Sequence, residues 1–237
     1  MKLNKLSALL AASTLLATSS AMAWESEDGA WSTSASVALS SEYVWRGISQ
    51  SKSDPAISGS IDVGHTSGLY AGIWASNVDF GSDASVEVDY YAGFGGDFGD
   101  SGVSYDVGGL YYDYPSEKAL DFFEVYGSLS YSFLTAGVAY TAWADTKAAE
   151  DNVYYSLDAT HDIGQFTVAA GVGYYDFDQV AGPNGEDSYT NYHVGVSTEF
   201  AGFGLDLTYS DTDSDAEKIY GNALSDGTFI FTISKSM

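Results

Sequence analysis

The chain has 237 residues, no cysteine and a formal charge of −25, from 8 Lys+Arg against 33 Asp+Glu. That balance excludes nucleic-acid binding, which needs Lys and Arg to neutralise phosphates, and the lack of Cys removes disulfide frameworks, thiolate metal sites and Cys nucleophiles. A hydrophobic share of 45% with 15% aromatics is too rich for a disordered acidic chain, so the protein folds.

Residues 1–23 have the layout of a secretory signal peptide. Lys2 and Lys5 form a positive start, an apolar run from Leu6 to Ala17 follows, and Ala21-Met22-Ala23 supplies a small-residue cleavage site. The run is too short for the ~20 residues of a membrane helix, so Sec-type export is expected. Removal leaves residues 24–237 with 6 Lys+Arg against 33 Asp+Glu, a charge of −27.

From Trp24 onward the recurrent pattern is alternation with period two, the signature of half-buried strands. Between Trp31 and Trp45 the odd positions are mostly apolar and the even ones mostly small or polar. Trp31 and Tyr43 are twelve positions apart, which projects to about 30 Å in a tilted strand, one membrane thickness between two aromatic girdles. Further apolar faces are expected at Ile57, Ile61, Val63; Val86, Val88, Tyr90; Val103, Tyr105, Val107; and Phe123, Val125, Leu129. They continue at Phe133, Thr135, Ala139, Trp143; Val153, Tyr155, Leu157; Phe166, Val168, Val172; Tyr192, Val194, Val196; Phe203, Leu205, Leu207; and Phe229, Phe231, Ile233. A strand from Leu69 to Asn77 is apolar on both faces, which leaves its orientation open. Twelve strands result.

The connections alternate between short (Thr66 to Gly68, Ser132, Ala201-Gly202) and long and charged (Ile48 to Asp54, Asp176 to Ser188, Asp211 to Asp226). This asymmetry, with an even strand count, predicts an all-β fold: a transmembrane antiparallel up-and-down β-barrel with turns on the periplasmic side and loops outside. The final strand, with Phe229, Phe231, Ile233 and Met237 on one face, is the expected signal to the barrel-insertion machinery.

Four blocks carry a family resemblance. Ser41-Glu42-Tyr43-Val44-Trp45-Arg46-Gly47-Ile48-Ser49-Gln50-Ser51, Asp54-Pro55-Ala56-Ile57, Gly68-Leu69-Tyr70-Ala71-Gly72-Ile73-Trp74-Ala75-Ser76-Asn77-Val78 and Glu87-Val88-Asp89-Tyr90-Tyr91-Ala92-Gly93 resemble the TorF-type porin family. The resemblance implies an outer-membrane barrel acting as a pore.

The faces opposite the apolar sets place Glu42, Asp62, Glu87, Asp89, Asp106, Glu124, Asp158, Glu199 and Asp206 toward the lumen, with Arg46, the chain's single arginine, as their cation. A narrow water-filled lumen with a negative field favours cations and neutral solutes. One guanidinium among carboxylates is expected to form forked pairs, fixing a constriction or tying down the following loop. The alternative is a non-conducting barrel that anchors or scaffolds, and behind it an outer-membrane lipid-modifying enzyme.

No enzyme, cofactor or metal site is expected. His65 and His161 fall at turns, His193 and Ser197 are four positions apart on one strand, about 13 Å and too far for a direct nucleophile–base contact, and no Gly-x-Ser-x-Gly elbow occurs. The run Asp211-Thr212-Asp213-Ser214-Asp215 lacks the sixth-position Gly and twelfth-position Glu of a calcium loop. With Glu150, Asp151, Asp176, Asp178, Glu186 and Asp187 it forms an acidic outer rim, to which divalent ions would bridge lipopolysaccharide. The expected partners are outer-membrane lipid and small solutes.

Overall fold

Alternating strands need partners on both edges, and the chain meets that demand by closing on itself. The computed structural model describes residues 24–237, and the expected signal segment lies outside the described residues. The strands are β1 (Trp31–Ser40), β2 (Ala56–His65), β3 (Leu69–Asn77), β4 (Val86–Asp97), β5 (Val103–Asp113) and β6 (Phe122–Tyr131). They continue as β7 (Leu134–Ala144), β8 (Val153–Ile163), β9 (Phe166–Asp176), β10 (Ser188–Phe200), β11 (Phe203–Thr212) and β12 (Thr228–Ser236). Each pairs antiparallel with its predecessor, and β12 returns to β1 with Ile233 opposite Leu39. Trp24–Glu25 takes up the rest of that edge of β1. Closure satisfies the strand backbone internally, which is what lets a sheet stand in lipid.

Connections at one end are the short segments 66–68, 98–102, 132–133, 164–165 and 201–202. Ala201 (φ 53°) and Gly202 (φ 75°) both occupy the left-handed region, the tight turn whose twist matches two paired strands. The other end carries segments 41–55, 78–85, 114–121, 145–152, 177–187 and 213–227. The last holds two short helices, α1 (Ser214–Tyr220) and α2 (Asn222–Ser225).

The outer wall is apolar. Leu39, Ile57, Ile61, Val107, Leu129, Leu157, Val194 and Phe231 are all exposed, an amount of bare hydrocarbon that a water-solvated surface rarely shows. Exposed aromatics gather toward both rims: Trp31, Tyr131, Phe166 and Phe203 by the short turns, and Tyr90, Trp143, Tyr155 and Phe229 by the long loops. That is a lipid-facing band between two girdles. Among the described residues no helix is long and apolar enough to cross a membrane.

Three expectations need correction. The first strand ends at Ser40, not Trp45, because Arg46 (φ 50°) and Gly47 (φ 83°) form a tight turn that folds residues 41–54 back into the barrel. Tyr43 is therefore buried and belongs to no outer girdle. In β7 the outward face before the bulge is Leu134, Val138 and Tyr140, while Thr135 and Ala139 point inward. A bulge between Thr141 and Trp143 inserts Ala142 and reverses the alternation, so Trp143 faces out as expected. β3, left open above, has Leu69 and Ile73 outward and Tyr70 and Trp74 packed inward.

Candidate functional site

The lumen divides into two halves of different chemistry. The half near the long loops is filled. Segment 41–54 enters it as a small hairpin, with Val44 paired to Ser49 and Trp45 to Ile48. Ser51 Oγ accepts from the Tyr43 amide at 3.0 Å and donates to the Asp54 carbonyl at 2.7 Å, which closes the base of this loop. At its edge Lys52 meets Asp79 at 2.8 Å. That ammonium, with the Gly81 amide, holds the Asp79 carboxyl below the usual range.

The hairpin tip crosses to the far wall. Gly47 sits where any Cβ would come 2.6 Å from Thr212 Cγ2 and 2.7 Å from Asn191 Cβ, so only glycine fits between the tip and strands β10 and β11. Arg46 donates from Nη1 to Glu124 Oε1 at 2.9 Å and from Nη2 to Oε2 at 2.7 Å. The two side chains are only 1% and 2% exposed. The guanidinium carbon stands 4.2 Å from the ring centres of Trp45 and Tyr154 and 4.9 Å from that of Tyr175. Tyr112 (3.3 Å) and Thr141 (3.4 Å) donate to the same carboxylate, and Tyr189 donates to the Arg46 carbonyl at 3.0 Å. A charge this deeply buried is tolerated only when paired and hydrogen-bonded, and both conditions hold.

A second clasp sits beside it. Glu87 accepts from the hydroxyls of Tyr43 and Tyr114, each at 2.8 Å. Neighbouring Asp89 is buried, with Oδ1 lacking a partner among the described residues. Glu42 ties the loop base to β12, accepting from Ser53 (3.1 Å) and Thr228 (3.0 Å). Between this loop and α2 lies a cavity of about 240 Å³ lined by Glu42, Gly47, Leu224, Asp226 and others.

The half near the short turns is lined by small polar side chains and by the remaining acids. Asp62 accepts from Tyr91 and from Ser60. Asp106 accepts from Tyr70 at 2.7 Å, whose hydroxyl is 2.6 Å from that of Tyr126. Asp158 lies 3.7 Å from His193 Nε2, and Asp206 accepts from Thr208 at 3.0 Å. Among the described residues no Lys or Arg stands within ion-pair distance of these four acids.

Of the ten residues expected along the lumen, Glu87, Asp89, Glu124 and the hairpin's Arg46 come together in the filled half, with Glu42 at its rim. Asp62, Asp106, Asp158 and Asp206 are distributed around the other. Glu199 is exposed near the short-turn mouth, away from the rest. Glu42 and Arg46 were expected on a strand face and instead ride on the inserted loop, because β1 stops short. The expected forked pairing of Arg46 is present. The aromatic lining was missed: Tyr43, Trp45, Tyr112, Tyr154, Tyr175 and Tyr189 all pack inside the barrel. The signal was available, because Tyr112, Tyr154 and Tyr189 occupy the same alternate positions as the acids.

Asp213 is the N-cap of α1, accepting from the amides of Asp215 and Ala216, and Asp211 accepts from Tyr192 and Tyr209. The acidic run near Asp211 is thus committed to structure.

Among solved structures the chain is similar to a KdgM porin, with a TM-score of 0.54, 8% identity and coverage of 86% of this chain and 97% of that one. A KdgM porin in complex with disordered oligogalacturonate aligns equally, at 7% identity with the same coverage and TM-score. A structure from work on in-meso crystallization of membrane proteins aligns at TM-score 0.53 and 10% identity, covering 86% of this chain and 83% of its own. At these identities the likeness shows the fold, a porin-type closed barrel. No curated protein sequence matches the chain. The porin-like barrel that the resemblance to TorF-type porins implied is therefore supported, and the name is not, because the family that matches, over residues 25–237, carries no functional description. The chain belongs to the family described as "bacterial protein of unknown function (Gcw_chp)".

Proposed function

We propose that the protein is an outer-membrane channel for passive diffusion of small cationic or neutral hydrophilic solutes, reached by Sec-type export after loss of residues 1–23. The observation that carries this reading is the unbalanced acidity of the lumen. Asp62, Asp106, Asp158 and Asp206 line one half without a Lys or Arg partner among the described residues, and the one arginine is already neutralised by Glu124. A low-dielectric wall concentrates such a field in the lumen and excludes anions. The apolar band and twin aromatic girdles support a membrane-spanning barrel, and the porin-type fold is compatible with conduction. Loop 41–54 then acts as the constriction, through which solutes pass when the hairpin tip shifts or withdraws.

A second reading, a non-conducting anchoring barrel, is favoured by one observation: Arg46 and Glu124 are almost wholly sealed from solvent. Planar-bilayer recordings in asymmetric KCl separate the two. The channel reading expects single-channel steps and a reversal potential of the sign set by potassium. A purified barrel with heat-modifiable migration and no conductance would establish the anchoring reading instead.

A further inference from the structure

The wall opposite the inserted hairpin carries a receptor of its own. Glu124 on β6 presents both carboxylate oxygens in parallel, steadied by Tyr112 on β5 and Thr141 on β7. Tyr154 on β8 and Tyr175 on β9 present their rings to the same point, 4.2 and 4.9 Å from the guanidinium carbon. Gly173 makes room for the Tyr154 ring, since a Cβ there would collide with it. These groups belong to five consecutive strands and owe their positions to the barrel. Only Trp45 and the guanidinium itself come from the loop.

The chemistry of this cage is selective. Two parallel acceptors match a planar fork of N–H donors, and π faces favour a delocalised, weakly hydrated cation. An ammonium is a strongly hydrated point charge and cannot make the paired contact. Moreover, Arg46 Nε has no hydrogen-bond partner among the described residues. Everything the cage grips is the terminal part of the side chain, which any monosubstituted guanidinium shares.

We propose that the barrel wall at Glu124, Tyr154 and Tyr175 is a binding site for alkylguanidinium solutes, which Arg46 occupies as a tethered occupant. A free solute of this class competes with Arg46 and, in displacing it, releases the hairpin tip from the far wall. Tethering gives Arg46 a high effective concentration, so the wild-type site is filled. The proposal deepens the channel reading by naming a solute class, and rests on it only for passage across the membrane.

The test uses the purified full barrel in detergent, with Arg46→Ala and Arg46→Met variants titrated calorimetrically with ethylguanidinium and, separately, ethylammonium. Both variants should bind ethylguanidinium about tenfold or more tightly than ethylammonium, a difference of about 1.4 kcal/mol. Wild type should bind ethylguanidinium at least tenfold more weakly than either variant, because the solute must displace the tethered Arg46, and adding Glu124→Gln to either variant should abolish the preference. The methionine variant keeps an unbranched apolar stem in the lumen and carries the test if the alanine variant loses its heat-modifiable band. Equal binding of the two cations, or the same binding in wild type and variants, would overturn the proposal. Because the readout is binding, a barrel that binds ethylguanidinium and does not conduct retains the site and removes only the channel reading.

Discussion

The hydroxyl of Tyr43 donates to Glu87 at 2.8 Å, joining the inserted loop to β4 across 44 positions of sequence. Glu87 keeps Tyr114 as its other donor, so this bond serves to dock the loop rather than to satisfy an otherwise bare carboxylate. A hydrogen bond to a charged group contributes ~1.5–3 kcal/mol net. Tyr43→Phe should therefore raise the undocked population of loop 41–54 about tenfold or more. Arg46 is the chain's single arginine and is buried when docked, so an arginine-specific protease reports on this opening alone. Cleavage after Arg46 should accelerate in the variant, and an unchanged rate would show that the Tyr43 clasp is not what holds the loop.

Gly47→Ala acts on the same loop by a different route. The native φ of 83° costs an L-residue roughly 1–2 kcal/mol, and the new Cβ would meet Thr212 and Asn191 at distances no relaxed contact allows. The tip should withdraw from β10 and β11, with faster cleavage at Arg46 and, in a conducting barrel, larger unitary current. Gly47→Asn separates the two causes, because Asn tolerates the left-handed region while its Cβ meets the same atoms. It should resemble the alanine variant, and wild-type behaviour would mean that strain alone was responsible.

Removing one partner of the central pair should be far costlier than removing both. Glu124→Ala strands a guanidinium that is 1% exposed, a loss of about 3–5 kcal/mol. Replacing Arg46 by Met in the same chain removes the orphaned charge and should recover much of that loss. Urea unfolding in detergent, followed by the heat-modifiable gel shift, gives the three midpoints. A double variant no more stable than Glu124→Ala would show that the pair is not coupled.

Period-two alternation sufficed for the strand count, the closed barrel, the short and long ends, and the inward placement of acids such as Glu87 and Asp106, because lipid and lumen impose opposite demands on successive residues. What failed was local. Tyr43, Val44 and Trp45 are three apolar residues in a row, compatible with a strand end or with a buried hairpin, and only the turn at Arg46-Gly47 decides between them. The same ambiguity hid the aromatic cage, since a tyrosine suits a lipid girdle and a filled lumen equally well. Tyr154 and Tyr155, adjacent in β8, do one each: the first packs over Arg46 and the second is exposed on the outer wall.

Strand β7 is the place where alternation misleads most, and a pair of substitutions checks its register. From the spacing of Phe133, Thr135 and Ala139 those positions would face lipid, whereas the Ala142 bulge lets Val138 face out and Thr135 face the lumen, where its hydroxyl is 2.8 Å from that of Ser130. A lysine on the lipid face near the midplane costs ~2–4 kcal/mol, while in a wet lumen it costs little. Val138→Lys should lower the urea midpoint of the folded barrel by that amount. Thr135→Lys should be nearly neutral in stability, and by adding a positive charge among Asp106, Asp158 and Asp206 it should shift the reversal potential of any conductance toward the anion. A destabilised Thr135→Lys beside a tolerated Val138→Lys would reverse the register and restore the uninterrupted alternation.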